Sequence, residues 1–317
     1  MIKIVLDKET QKAIKSIHWE DAQTAQTGLV KRLEKDEIRD WLREEYTFLY
    51  DYFYNSMGKL EKEKVKELLF LNRVEMKKFI SKWKALGKKD SEELLKRVFL
   101  YDNFSNRKVA SKILRKMKVE VCPYCNRQYI HTVKSGKVRA QFDHYYPKSL
   151  YPYLALSLYN MIPSCAVCNT AKSSLDTMKT PVLYPYDEEF GHETKFVLEV
   201  QDDDYVKVWQ GVSNRFSIRI KAKEGTIRGA IDNQNIKLHL EELYNEHKNF
   251  VMDIIKSKNI NSPDRIHELY LHYSSIFDSE NEIKGLLYMT NLEIENWGKR
   301  PLTKLIYDID HQFDFGK

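Results

Sequence analysis

Two closely spaced pairs of cysteines are the first residues of this 317-residue chain whose types and spacing indicate chemistry. The pairs are Cys122-Pro-Tyr-Cys125 and Cys165-Ala-Val-Cys168; they are separated by 39 residues and contain every cysteine of the chain. Two such pairs supply the four thiolates of a tetrahedral zinc site. Because no coordination position is left open, we predict a structural zinc ion held by Cys122, Cys125, Cys165 and Cys168. The alternatives are four ordinary buried cysteines or a disulfide within each pair.

A second group of polar residues lies between the cysteine pairs and directly after them. Asp143 and His144 are adjacent, Asn160 precedes the second pair, Asn169 follows it directly, and Lys172 is three residues further on. A single histidine is more often packed or hydrogen-bonded than functional, but the ordered group inside a zinc-binding unit favours a site. Oxygen ligands from Asp143 and Asn169 suit Mg²⁺ or Mn²⁺. A neutral imidazole beside them suits a general base.

Basic residues are concentrated in the same part of the chain. The whole sequence has 52 Lys and Arg against 46 Asp and Glu, a net charge of +6. Residues 103–148 alone carry eleven basic and two acidic side chains, a net charge of +9, which leaves −3 for the rest. Such a focused basic zone indicates a polyanionic partner, most simply nucleic acid. The basic residues are Arg107, Lys108, Lys112, Arg115, Lys116, Lys118, Arg127, Lys134, Lys137, Arg139 and Lys148.

The prolines indicate how the elements around these residues are organised. Six of the eight lie between residues 123 and 185, and the first 122 residues contain none. Because proline is costly inside helices, and because apolar residues recur at helical spacing, the sequence predicts a mainly helical region over residues 1–118. A module over 119–186 is predicted to contain a β-hairpin (127–133 and 138–142) and a short helix at 166–175. The segment 187–317 is predicted to form short strands over 194–223 and then helices. The predicted class is α+β.

The sequence also bears on membranes and on the cellular compartment. Residues 149–171 carry no charge and are long enough to span a bilayer, but prolines, an asparagine and two cysteines interrupt them. We therefore expect a buried core beside the metal site. The first residues have no apolar stretch of the kind that a secretory signal requires. With the cysteines in two metal-binding pairs, a cytoplasmic location is expected.

Three stretches of the sequence, taken together, resemble the HNH endonuclease motif. They are Asp143-HYYPKS, Asn160-MIPSC and Cys165-AVCNTAK. The flanking cysteine pairs resemble the zinc-ribbon form of this motif, which belongs to the ββα-metal (His-Me finger) superfamily. The resemblance covers about residues 120–175, and it implies a divalent-metal-dependent nuclease that hydrolyses phosphodiesters.

The resemblance also implies a role for each matching residue. His144 is the general base that deprotonates the attacking water, and Asp143 and Asn169 hold the catalytic Mg²⁺ or Mn²⁺. Asn160 orients the loop that bears His144, and Lys172 contacts a phosphate. Asn169 stands where many members have histidine, but its side-chain oxygen can also ligate a metal. The glycines often seen after the PKS stretch are missing, which affects the loop shape rather than the chemistry.

These observations lead us to expect an HNH endonuclease that acts on nucleic acid. DNA is the expected substrate, although the motif does not distinguish DNA from RNA. Arg139 and Lys148, together with Lys172, are expected to bind substrate phosphates. The central sequence also resembles HNH proteins of bacterial anti-phage systems, including Septu-like ones paired with an ATPase, so an ATPase partner is expected. The two rivals are a nucleic-acid-binding zinc module without catalysis and an adaptor whose zinc only stabilises the fold.

Overall fold

The computed structural model describes residues 1–225 and 227–312. Its described residues are mainly helical and include two small antiparallel sheets, which agrees with the predicted α+β class. The chain forms two compact units. The first unit comprises residues 5–119 and 130–180, and the second comprises residues 1–4, 120–129 and the described residues from 181 onward. The units therefore do not follow the three contiguous segments predicted from the sequence.

The N-terminal part of the first unit is helical, as the apolar spacing predicts. Asp7 begins the first helix by accepting a hydrogen bond from the backbone N–H of Thr10. Asn72 and Glu75 form a capping box at the start of the sixth. Both caps satisfy amide groups that a helix leaves unpaired at its N-terminus. The helices are α1 (Lys8–Thr24), α2 (Leu29–Leu33), α3 (Asp36–Glu45), α4 (Thr47–Phe53), α5 (Lys62–Leu69), α6 (Arg73–Trp83), α7 (Lys88–Arg97), α8 (Tyr101–Asn106) and α9 (Lys108–Met117).

The rest of the first unit consists of a two-stranded antiparallel sheet and a helix. Strand β1 (Gln141–His144) pairs with β2 (Met161–Ser164), so that Asp143 is opposite Ile162. Two 3₁₀ turns, Pro152–Leu154 and Leu158–Asn160, lie between the strands, and α10 (Ala166–Lys172) follows β2.

The predicted hairpin over 127–133 and 138–142 is wrong, although its turn is present. The N–H of Val133 donates to the carbonyl of Val138 at 2.9 Å, but 127–133 forms no strand, and only the last two residues of 138–142 lie in one, β1, which pairs with β2. All four residues of β2 are buried, whereas the segment 127–133 contains Arg127, Gln128 and His131. The apolar β2 segment is therefore the better partner for β1, because strand pairing is stabilised mainly by packing and burial.

The second unit has its own sheet and a set of helices. Strand β3 (Thr194–Val200) pairs antiparallel with β4 (Phe216–Ala222). Residues 205–208, where the sequence predicts strand, lie instead in a short helix. The helices are α11 (Tyr205–Trp209), α12 (Arg228–Leu238), α13 (Leu240–Asn245), α14 (Lys248–Ile260), α15 (Pro263–His272), α16 (Glu280–Leu287) and α17 (Thr303–Gln312).

Helix side chains pair with the outer edges of this second sheet. Four backbone N–H groups of the strands donate to side-chain oxygens of the helices: Phe196 to Asp308, Leu198 to Gln312, Ile218 to Asn245, and Ile220 to Glu241. The distances are between 2.8 and 3.0 Å. The unpaired backbone groups of an open strand edge can pair with the strand of another chain. These hydrogen bonds occupy some of those groups on both strands.

Within the described residues, no helix is long and apolar enough to span a lipid bilayer. The uncharged stretch 149–171 contains two 3₁₀ turns, strand β2 and most of α10, joined by short loops, and most of its residues are buried.

Candidate active site

A cavity of about 670 Å³ lies in the first unit at the end of β1, and we call it the β1 cavity. Asp143, His144 and Asn169 all line it, although Asn169 comes from helix α10. Arg139 and Lys148, the expected phosphate ligands, line the same cavity. The structure thus brings together five of the residues singled out from the sequence.

His144 is the last residue of β1, and its side chain is held in one orientation. The residue is buried, and its Nε2 lies 2.9 Å from the backbone carbonyl oxygen of Ala155. Because a carbonyl oxygen only accepts hydrogen bonds, Nε2 carries the hydrogen and Nδ1 keeps its lone pair. Burial lowers the pKa of His144 to about 3, so the ring is neutral near pH 7. A neutral ring with a lone pair is the starting state of a general base.

Tyr101 is a further residue around His144 that the motif did not reveal. Its ring packs edge-on against the imidazole with 4.4 Å between ring centroids, and its hydroxyl donates to the carbonyl of Phe142 at 3.4 Å. Tyr101 also lines the β1 cavity. It lies in helix α8, far from the motif in sequence, and no spacing signal identifies it.

Asn160 does not line the cavity but is fully buried behind it. Its Oδ1 accepts a hydrogen bond from the N–H of Tyr146 at 2.8 Å. Its Nδ2 donates to the carbonyls of Tyr146, at 3.0 Å, and Leu154, at 3.1 Å. Its backbone carbonyl accepts from the N–H of Tyr145. These bonds hold the two residues that follow His144, which supports the positioning role that the sequence resemblance implies.

Asn169 is oriented by a residue that was not predicted. Its Nδ2 donates to Oε1 of Gln141 at 2.7 Å, which turns the amide so that Oδ1 remains for a ligand. Gln141 also lines the cavity. It lies two residues before Asp143 on the same strand, and residues at this spacing share a face of a strand. This two-residue spacing in the sequence could have identified Gln141 as a residue near Asp143.

Lys172 lies elsewhere than the sequence resemblance implied. Its side chain is fully buried, it does not line the β1 cavity, and its Nζ is 3.1 Å from Oδ2 and 3.2 Å from Oδ1 of Asp143. The same Nζ donates to the carbonyl oxygen of His144 at 2.6 Å. The structure therefore does not support a phosphate contact for Lys172, because burial and these three oxygens keep the ammonium away from a bound strand.

Arg139 and Lys148 are half-buried, and each contacts one or two neighbouring side chains. Arg139 donates to the Ser105 hydroxyl at 3.2 Å. The Nζ of Lys148 lies 3.2 Å from Oδ1 of Asp102 and 4.6 Å from the centre of the Tyr101 ring. Both cations remain in the cavity wall, where they can approach an anionic ligand.

All four cysteines are buried, Cys122 and Cys125 in the second unit and Cys165 and Cys168 in the first. Within each pair one sulfur accepts a backbone hydrogen bond at 3.4 Å, that of Cys125 from the N–H of Arg127 and that of Cys165 from the N–H of Cys168. Thiolates are the ligands expected for zinc. Four sulfurs would fill the coordination sphere of such an ion.

Comparison with known proteins agrees with the motif. Residues 122–175 match the model of the HNH endonuclease family, so the resemblance inferred from the sequence is confirmed for this segment. The Septu protein PtuB of Bacillus thuringiensis is 33% identical over 72 residues, which cover 23% of this chain and 26% of that protein. The match thus spans about a quarter of the relative, and its name agrees with the resemblance to Septu-like proteins inferred from the sequence. No solved structure matches the chain.

Proposed function

We propose that this protein is a metal-dependent HNH endonuclease that hydrolyses phosphodiester bonds in DNA. The observation that carries the proposal is the grouping of Asp143, His144 and Asn169 around one cavity whose wall also contains Arg139 and Lys148. A potential base, two oxygen ligands and two cations are the groups that hydrolysis of an anionic diester requires.

His144 acts as the general base in this proposal. The hydrogen bond from Nε2 to the Ala155 carbonyl leaves the lone pair of Nδ1 to accept a proton from the attacking water. When the ring accepts that proton, the same hydrogen bond strengthens, because an imidazolium donates more strongly than a neutral ring. Asn160 and Tyr101 keep the ring and its loop in position during the transfer.

The residues present fit a divalent cation such as Mg²⁺ or Mn²⁺. Asp143 supplies a carboxylate and Asn169 an amide oxygen, which are the hard ligands that these ions prefer. When bound, the ion stabilises the negative charge that develops on the phosphate and on the leaving 3′ oxygen. Gln141 supports this ligand set by fixing the Asn169 amide.

The cationic residues provide the contacts to the nucleic-acid backbone. Arg139 and Lys148 reach the cavity, and Lys137 lines it as well. Each phosphate contact of this kind adds sequence-independent affinity that weakens as salt rises. The excess of +9 over residues 103–148 supports a substrate that extends beyond the cleaved bond.

We further propose that Cys122, Cys125, Cys165 and Cys168 hold a structural zinc ion. Such an ion would stabilise the HNH segment, because the binding energy of a structural zinc is also folding energy. The similarity to a Septu protein supports a role in anti-phage defence. We also propose an ATPase as partner, which rests on the resemblance of the central sequence to defence proteins of this kind.

A plasmid-cleavage assay tests the proposed function. Wild-type protein should cleave DNA with Mg²⁺ or Mn²⁺ and fail to do so with a chelator. His144→Ala should lower the cleavage rate by roughly 10²–10⁴-fold while substrate binding persists, since a general base acts mainly in the transition state. His272→Ala, a change at an exposed histidine of α15, is the matched control. Wild-type rates in His144→Ala would refute the assignment of the base, and cleavage of RNA but not DNA would refute the substrate.

A further inference from the structure

The buried ion pair between Lys172 and Asp143 has no place in the mechanism above. An ammonium group has three N–H donors. Lys172 directs them at three oxygen atoms, the two carboxylate oxygens of Asp143 and the backbone carbonyl of His144, at 3.1, 3.2 and 2.6 Å. The Lys172 side chain has no exposure and that of Asp143 only 2%. The Lys172 ammonium thus contacts Asp143, one of the two residues expected to bind the metal.

The physical reason for such a cation lies in the cost of a buried carboxylate. An ionised carboxylate taken out of water is strongly destabilising unless an opposite charge is close by. Asp143 is buried, so the protein without a bound metal needs another positive charge at this point. Lys172 supplies that charge from helix α10, and its bond to the His144 carbonyl fixes the end of β1 at the same time.

We propose that Lys172 is a resident counter-cation: it keeps the metal-free site folded and at the same time weakens metal binding by charge repulsion. The inference rests on the proposed function, because it concerns the ion held by Asp143 and Asn169. A carboxylate has about four lone-pair sites, so Asp143 can contact Lys172 and a metal together. The two positive charges then repel each other across one carboxylate, and the His144 carbonyl retains the ammonium in place.

Removing this charge has two opposite effects. In Lys172→Met the metal-free protein loses the partner of a buried carboxylate and becomes less stable. A divalent cation then becomes the main compensating charge, so its affinity rises. A purely structural role for Lys172 predicts something else: equal destabilisation with and without metal, and no gain in affinity.

The test measures thermal unfolding with and without saturating Mn²⁺, and Mn²⁺ affinity by titration calorimetry. Mn²⁺ alone is the probe, since it prefers oxygen ligands to thiolates. For Lys172→Met we expect a lower midpoint without metal, a larger upward shift with Mn²⁺ than in wild type, and a dissociation constant smaller by about tenfold or more.

The matched control is Lys304→Met in the second unit. Lys304 is also fully buried and ion-paired, with its Nζ 2.5 Å from Oδ1 of Asp308. Its removal should destabilise the protein by the same amount with and without Mn²⁺ and leave the Mn²⁺ affinity unchanged.

Two results overturn the inference: a Mn²⁺-induced shift in Lys172→Met no larger than in wild type and in Lys304→Met, or an affinity that is unchanged or weaker. If Lys172→Met does not fold even with Mn²⁺, Lys172→Gln is judged by the same two measurements. If the wild-type protein binds Mn²⁺ and cleaves DNA, but the lysine variant does not bind Mn²⁺ more tightly, this inference alone is refuted. A wild-type protein that neither binds Mn²⁺ nor cleaves refutes the metal-dependent function instead.

Discussion

Replacing Asn160 with alanine isolates the contribution of a residue that positions the catalytic loop without reaching the cavity. The change removes three side-chain hydrogen bonds: one from the N–H of Tyr146 and two to the carbonyls of Tyr146 and Leu154. Asn160 has no exposed surface, so water does not readily replace these bonds. The variant therefore leaves up to three buried backbone groups unsatisfied.

The size of the effect follows from these bonds. One lost hydrogen bond costs about 1 kcal/mol net, and a buried group left unpaired costs about 1–3 kcal/mol. Partial relaxation of the loop offsets part of the sum, so we expect a loss of about 3 kcal/mol in the free energy of unfolding. At about 2–4 °C per kcal/mol, the midpoint falls by roughly 6–12 °C. Because the loop begins directly after His144, we also expect a fall in cleavage rate of about 10–100-fold, since small displacements of catalytic groups are costly.

The assay pairs urea unfolding with plasmid cleavage at a temperature where both variants are fully folded. Asn245→Ala is the matched control, because Asn245 also makes three side-chain hydrogen bonds, to Ile218 and Glu241, on the sheet edge of the second unit. It should lose stability and keep its cleavage rate. If Asn160→Ala cleaves as fast as Asn245→Ala, the positioning argument fails. If it unfolds at the wild-type urea concentration, the count of buried bonds is wrong.

Three other predictions address the zinc, the substrate path and a buried histidine. Elemental analysis should find about one zinc ion per chain, and Cys165→Ser should lose the zinc and destabilise residues 122–175; metal-free, stable wild-type protein contradicts this. Arg139→Glu should weaken DNA binding and reduce its salt dependence by about one phosphate contact, whereas Arg228→Glu on α12 should not. The Nε2 of His18 donates a hydrogen bond to the Leu156 carbonyl oxygen at 2.7 Å, and burial lowers the pKa of this histidine. The unfolded chain therefore binds a proton below about pH 6.5 that the folded protein rejects, so stability should fall as pH drops from about 7 to about 5. Urea titrations of His18→Gln should show a flatter pH dependence, and an identical slope would exclude His18 as the source.

The chemistry-bearing residues were accessible from the sequence because local spacing carries their signal. Two cysteine pairs, and an adjacent Asp143 and His144 followed by Asn160 and Asn169, form a pattern that needs no tertiary information. The matching HNH segment agrees with this pattern. The helical N-terminal region was equally accessible, because apolar periodicity and the absence of proline are properties of the chain itself.

Which strands and which side chains contact each other at the site was decided only by the tertiary structure. Strand β1 pairs with residues 161–164, which are distant in sequence but apolar enough to be buried, and not with the nearby segment at 127–133. That pairing, with α10 beside it, brings Lys172 to Asp143 and Gln141 to Asn169. A lysine three residues after Asn169 suggests a phosphate ligand when only its sequence position is known. Whether its ammonium meets solvent or a buried carboxylate depends on how α10 packs against β1, because burial determines which charges must be paired inside the protein.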